Sequence, residues 1–194
     1  GAGAAAASRA ERVGLSPSEC CILHREPPPT VEEQVAAYRT VFREFGGRKV
    51  VIRTLDSGAD KPLHFLTVDD EENPALGVRG LRTAARWPEL LEQQLDAIAQ
   101  AAAAEEAEVW VMAPMVSPVG EREWCVERCR APGGGGGGGR GGVRSGGRLS
   151  GPILARAAFA SIGTNDLTQY TMAAGRLLGS LAELSVPWRA GGRR

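Results

Sequence analysis

The sequence predicts an α/β protein, and three observations carry that prediction. Helix-like and strand-like patterns alternate along residues 13–118; the strand-like runs are short, apolar and β-branched; and polar, ligand-type residues follow directly where those runs stop. Helix, strand, helix, strand is the rhythm of βα units around a parallel sheet or barrel.

The first helix is written in "TVEEQVAAYRTVFREFGG". Thr30 and Glu33 stand at capping-box spacing. Val31, Val35, Tyr38, Phe42 and Phe45 recur at helical spacing, and Gly46-Gly47 stops the run. "KVVIRTLD" follows as a strand whose β-branched centre is Val50 to Ile52. A second helix starts near Trp87-Pro88, with proline in the first turn, and continues along one face through Leu91, Leu95, Ile98 and Ala102. "EVWVMAPMVS" then reads as a strand running into a proline-containing loop. Later, the apolar "ILARAAFA" predicts a strand near 157–162 that emerges into "SIGTNDLTQY", a loop rich in hydroxyl, amide and carboxylate oxygens.

Between Arg130 and Gly151 the composition changes, with seven consecutive glycines and no apolar face. Such chain buries too little surface to offset its ordering entropy, so a flexible segment is expected over 119–152. "GGGRGGVRSGGR" has the arginine–glycine look of an RNA-binding tail but no interleaved aromatics to stack bases, so nucleic acid is disfavoured as a partner. Lys+Arg and Asp+Glu are both 23, which gives no overall attraction to nucleic acid or anionic membrane. No apolar run reaches the roughly 20 residues of a membrane span, and "GAGAAAASRA" lacks the pattern of a signal peptide. A cytoplasmic protein without a membrane partner is expected. Cys125 and Cys129 lack a second ligand pair at zinc spacing, and with Cys20 and Cys21 are read as reduced thiols.

Four separated stretches, "VVIRTLDSGADKPL" (50–63), "EENPALGVRGLR" (71–82), "VWVMAPMVS" (109–117) and "SIGTNDLTQYTMAAGR" (161–176), occur in the order found in the phosphoenolpyruvate-utilising enzymes. Together they resemble the C-terminal, phosphoenolpyruvate-binding domain of enzyme I of the bacterial sugar phosphotransferase system, the phosphoenolpyruvate–protein phosphotransferases. The resemblance covers roughly 11–118 and 153–188, and long ordered matches are far more specific than one short motif.

The resemblance implies a (β/α)8 TIM barrel, here partial, that binds phosphoenolpyruvate and Mg2+ at the C-terminal ends of its strands, where barrels carry their chemistry. It divides the chain into disordered ends (1–12 and 189–194), a first part of the barrel (13–118), the Gly/Arg-rich segment (119–152) and a later part bearing the SIGTNDLTQY motif (153–188). Arg53 and Arg176 would grip the phosphate, a task suited to the planar guanidinium fork. Arg79 and Lys61 would support the same anionic site, Asn165 would hydrogen-bond the phosphate, and Asp166 would ligate Mg2+. Taken alone, an arginine after a strand more often makes a surface ion pair, and an Asn-Asp pair can serve as a helix N-cap; the ordered match is what favours ligands.

The implied activity is Mg2+-dependent transfer of the phosphoryl group of phosphoenolpyruvate to a protein histidine, in sugar transport. The implied partners are a histidine phosphocarrier protein, reached through an N-terminal domain not found in this sequence, and a second copy of the chain. Several family elements are not matched. Pro17 stands where the family has an arginine, Gly175 where it has an aspartate, and the strand reading roughly Met-Val-Glu-x-Pro that bears the family's second metal carboxylate has no match between Ser117 and Ile153. No cysteine follows Arg176, and neither His24 nor His64 fits the phospho-accepting motif. No residue is therefore assigned as catalytic, and turnover is expected to be impaired or lost, leaving a phosphoenolpyruvate-binding or partner-binding remnant as the alternative.

Overall fold

Five parallel strands lie side by side in sequence order. In the computed structural model the described residues are 13–17, 27–57, 71–117, 119–130, 140–143, 157–175 and 178–185. The strands are β1 (Val13–Pro17), β2 (Lys49–Arg53), β3 (Glu108–Ala113), β4 (Arg140–Val143) and β5 (Phe159–Ala160). Parallel neighbours cannot be joined by a tight turn and need a crossover. Helix α1 (Val31–Glu44) lies between β1 and β2, helices α2 (Leu81–Arg86) and α3 (Pro88–Glu105) between β2 and β3, and α4 (Val119–Arg130) between β3 and β4. Helix α5 (Thr164–Met172) and a 3-10 turn (Gly179–Ser185) follow β5. The βα succession is the one the sequence predicts. Among the described residues the sheet has five strands and does not close into a barrel.

The core is built where the sequence signals were strongest. Strands β2 and β3 pair without interruption from Lys49↔Glu108 to Arg53↔Met112. Their apolar runs are nearly continuous, as expected of parallel strands covered by helices. Val50 and Ile52 are fully buried and pack with Val109 and Val111 against α1 and α3. Helix α1 contributes Tyr38 and Phe42, stacked at 6.2 Å between ring centroids; α3 contributes Leu91, Leu95, Ile98 and Ala101. Burying each of the larger side chains contributes about 1.5–3 kcal/mol, so this cluster supplies the main drive to fold.

The predicted helix ends are formed as expected. Thr30 Oγ1 accepts from the Glu33 amide at 3.3 Å, and the Glu33 carboxylate accepts from the Thr30 amide at 3.0 Å. Phe45 closes α1, and Gly47 takes φ +70°, a conformation that suits glycine. Pro88 opens α3, where its missing N–H costs nothing.

The segment from 119 to 152 departs from the expectation of flexibility in two places. Val119–Arg130 is helical and lays Cys125 and Cys129 into the core as free thiols, with Trp124 packed beside them. The glycine tract dominated the reading of its neighbourhood and hid a helix whose apolar face is made of two cysteines and a tryptophan. Arg140–Val143 forms β4, paired with β3 from Trp110↔Arg140 to Ala113↔Val143. A ladder uses only backbone donors and acceptors, so a strand with two central glycines can complete an edge that its side chains do not announce. The strand expected near 157–162 shortens to Phe159–Ala160, with the Phe159 ring 5.0 Å from that of Trp110.

Helices α1 and α3 are also tied by charge. Arg39 Nε lies 2.7 Å and Arg43 Nη2 2.8 Å from Glu105 Oε1. The hydrogen bonds from Arg43, then Arg39, hold the Glu105 carboxyl down at about 2 from an ordinary value of 4.5. Because the folded-state value is the lower one, the stabilisation is complete above about pH 4.5 and drains away as pH falls toward 2. Urea unfolding between pH 6 and pH 2 should therefore show a steeper acid loss of stability for the wild type than for Glu105→Gln. Parallel curves for the two proteins would show that the pair contributes nothing to the pH dependence.

Candidate functional site at the strand C-terminal edge

Because every strand runs the same way, all the segments that leave the strands start from one edge of the sheet. The polar residues singled out in the sequence lie in the loop directly after β2, in the turn 71–80 later in the same connection, and in α5 after β5. Arg53 is the last residue of β2 and is buried. The Thr54 amide donates to Met112 O at 2.9 Å, extending the β2–β3 contact by one step. The Leu55 amide donates to Gln94 Oε1 at 3.0 Å, and Gln94 Nε2 donates to the Tyr38 hydroxyl at 3.1 Å. Helices α1 and α3 thus pin the loop after β2, and Asp56 and Ser57 are buried within it.

The second segment is the turn 71–80. The Val78 amide donates to Glu71 Oε1 at 2.6 Å, and the carboxylate folds so closely beneath Gly77 that a Cβ there would meet Oε1 at 1.6 Å. Gly80 takes φ +56°, and the Leu81 amide donates to Pro114 O at 3.2 Å, fastening α2 to the end of β3. A Cβ on Gly80 would lie 2.8 Å from Met115 Cβ. Both the backbone conformation and the space therefore call for glycine.

Arg79 precedes that glycine and is the centre of the site. Its side chain is only 6% exposed. Nη2 donates to Asp56 Oδ2 at 3.2 Å and Oδ1 at 3.3 Å, and lies 3.6 Å from Asp166 Oδ1. Nη1 donates to the Tyr170 hydroxyl at 3.1 Å, and that hydroxyl donates to Ala75 O. Burial works to lower the Arg79 pKa, but Asp56, then Tyr170 and Asp166, outweigh it and hold the pKa above the ordinary guanidinium value. The cation is permanent.

Asp166 and Tyr170 come from α5, the third segment, at positions one turn apart on one helix face. Gly163 is the N-cap and makes no side-chain capping bond, so neither Asn165 nor Asp166 serves as the cap. Asp166 is buried in the first turn, where a carboxylate is also favoured by the helix dipole. Asn165 is exposed.

Of the residues predicted for the site, Arg53, Arg79, Asn165 and Asp166 fall on segments at this one edge, with Arg79 and Asp166 in an ion pair. Lys61 and Arg176 lie outside the described residues. Tyr170 was not singled out in the sequence, and Asp56, a polar residue following the same apolar run as Arg53, had no role assigned to it. Asp56 follows β2 by three residues, and its role emerges only from the approach of Arg79. Tyr170 stands four residues after Asp166, a spacing that could have signalled a shared face. Among the described residues no group of three or more His, Cys, Asp or Glu could hold a metal ion.

Two substitutions probe how the edge is held. Removing the Arg79 side chain leaves Asp56 and Asp166 buried without their shared counterion, so Arg79→Ala should cost about 3–5 kcal/mol of stability in urea unfolding. Gly80→Ala combines a left-handed backbone with a crowded Cβ and should cost about 1–3 kcal/mol in the same measurement. A loss below about 0.5 kcal/mol for either, the range of ordinary surface substitutions, would contradict this account.

Residues 1–132 and 150–189 match the family described as PEP-utilising enzyme, PEP-binding domain, and the interval between the matched stretches contains the glycine tract. The chain is 43% identical over 188 residues to the phosphoenolpyruvate-protein phosphotransferase of Streptomyces coelicolor, covering 96% of this chain and 34% of that protein. It is 40% identical over 180 residues to the protein of the same name from Haloferax volcanii, covering 86% of this chain and 32% of that one. A multiphosphoryl transfer protein of Xanthomonas campestris is 42% identical over 175 residues, covering 86% of this chain and 20% of that protein. The chain thus spans between 20% and 34% of the length of these relatives. With the family match extending over most of its length, the chain belongs to the phosphoenolpyruvate-utilising enzymes, within their phosphoenolpyruvate-binding domain.

Proposed function

We propose that this chain binds phosphoenolpyruvate at the strand C-terminal edge and is the substrate-holding part of a phosphoenolpyruvate–protein phosphotransferase. The observation that supports this most is the convergence of Arg79, Asp56 and Asp166, from three separate segments, beside the buried end of β2 that bears Arg53. Buried charge of this kind is costly to assemble, and a structural purpose is served more cheaply by apolar packing.

In this reading Arg53 presents its guanidinium to the phosphate, and exposed Asn165 donates its amide hydrogens to a phosphate oxygen. Arg176 and Lys61 add positive charge to the same anion. Arg79 neutralises Asp56 and orients Asp166. The donor set suits Mg2+ held by one protein carboxylate, Asp166, with water and substrate oxygens filling the remaining positions, which is how this ion is commonly bound. Bound there, Mg2+ would supply charge neutralisation to the phosphate oxygens as the phosphoryl group moves.

The acceptor would be a histidine of another domain, reached in line with the departing group. The wider roles follow the family: phosphoryl relay to a histidine phosphocarrier protein for sugar uptake, in the cytoplasm, with a second copy of the chain as an assembly partner. The five sequential parallel strands are proposed as part of a (β/α)8 barrel, whose active edge is the one described. Pro17, at a position where the family has Arg, removes a cation from the anion site, and Gly175 stands where the family has Asp, so turnover is proposed to be weak.

Calorimetric titration with phosphoenolpyruvate in the presence of Mg2+ tests the reading. The wild-type chain should bind, and Arg53→Ala should lower affinity about 10- to 100-fold, the worth of a charge-assisted contact. Equal binding by the two proteins would exclude Arg53 from the anion site, and absence of binding by the wild type would sink the function proposed. Transfer of labelled phosphate to an added histidine-bearing domain then separates turnover from binding alone.

A further inference from the structure

We infer that Tyr170 is a positioning residue for Arg79 and, through it, for the anion site; the inference rests on the phosphoenolpyruvate reading. A guanidinium held at one nitrogen can pivot about that contact. Arg79 is held at two: Nη2 faces Asp56 and Asp166, while Nη1 donates to the Tyr170 hydroxyl at 3.1 Å. The second contact fixes the plane of the fork, and with it the direction from which Nη2 meets Asp166.

The phenol is itself oriented. Its proton goes to Ala75 O, in the turn that carries Arg79 four residues later. A single oxygen thereby contacts both the side chain of Arg79 and the backbone leading to it. Tyr170 also stands one helical turn from Asp166, so the carboxylate and the phenol move together with α5. The hydroxyl is a register pin: it sets where α5, bearing Asn165 and Asp166, sits along the turn 71–80. Phenylalanine would keep the ring and lose only the pin.

A double-substitution cycle on phosphoenolpyruvate affinity tests this, with folding followed by circular dichroism. Tyr170→Phe should fold and bind phosphoenolpyruvate about tenfold more weakly, the worth of one lost hydrogen bond to a charged group. In an Arg79→Lys background, where no fork remains to be oriented, the same change should alter affinity less than about twofold, because residues acting through one another are not additive. Unchanged binding by Tyr170→Phe overturns the inference, as does an equal loss in both backgrounds, which would place the effect elsewhere. A Tyr170→Phe protein that fails to fold would make the hydroxyl a structural strut and likewise overturn it. If the wild-type chain itself binds no phosphoenolpyruvate, the reading of the site falls and the inference with it; binding by the wild type with an insensitive Tyr170→Phe removes the inference alone.

Discussion

The arrangement at the sheet edge depends on one buried cation. Arg79 is shielded from water and lies between two carboxylates drawn from different segments, Asp56 after β2 and Asp166 in α5. Each of those carboxylates would be expensive to bury alone, and so would the guanidinium. Together they are better tolerated, because each carboxylate has the guanidinium within a few ångströms and the neighbouring phenol occupies Nη1. The cluster is therefore interdependent. Removing one member raises the cost of burying the others.

That interdependence needs a rigid frame, and the apolar core provides it. Parallel pairing of β2 and β3 fixes where both strands end, and the Thr54 amide extends the pairing past Arg53. Gln94 then carries the rigidity of α3 into the loop, since its amide joins the Leu55 backbone to the Tyr38 hydroxyl. On the other side, the bond from the Leu81 amide to Pro114 O anchors the residues just after Arg79 to the end of β3. Asp56 and Arg79 thus meet because two loops are fastened to the same pair of strands. The packing that drives folding also sets the distance between the charges.

How much of this was legible in the sequence varied with the kind of signal. Helices α1 and α3 and strands β2 and β3 were readable because each repeats an apolar period several times and carries a stop or cap, as at Thr30, Gly47 and Pro88. Helix α4 was hidden because its buried face uses Cys125 and Cys129, residues read first for their chemistry. Strand β4 was hidden because backbone pairing with β3 leaves no side-chain pattern. In the site, Arg53 and Asp166 stood out as polar residues following apolar runs. The partnership of Arg79 with Asp56, 23 residues apart, and with Tyr170, 91 residues apart, depends on the path of the chain, which local sequence does not encode.

The way α5 docks gives the cluster a further consequence. The buried residues of α5 are Asp166 and Thr168, and among the described residues none of its side chains belongs to the main apolar core. The strand before it, β5, is two residues long and pairs with the glycine-containing β4. Among the described residues, the contacts from Asp166 and Tyr170 to Arg79 and Ala75 are the ones that tie α5 to the turn 71–80. Electrostatic and hydrogen-bonded contacts are directional where apolar burial is not. A helix held this way has one preferred seat, and leaving that seat separates the buried charges. Assembly of the site and attachment of the later part of the chain are, on this view, the same event.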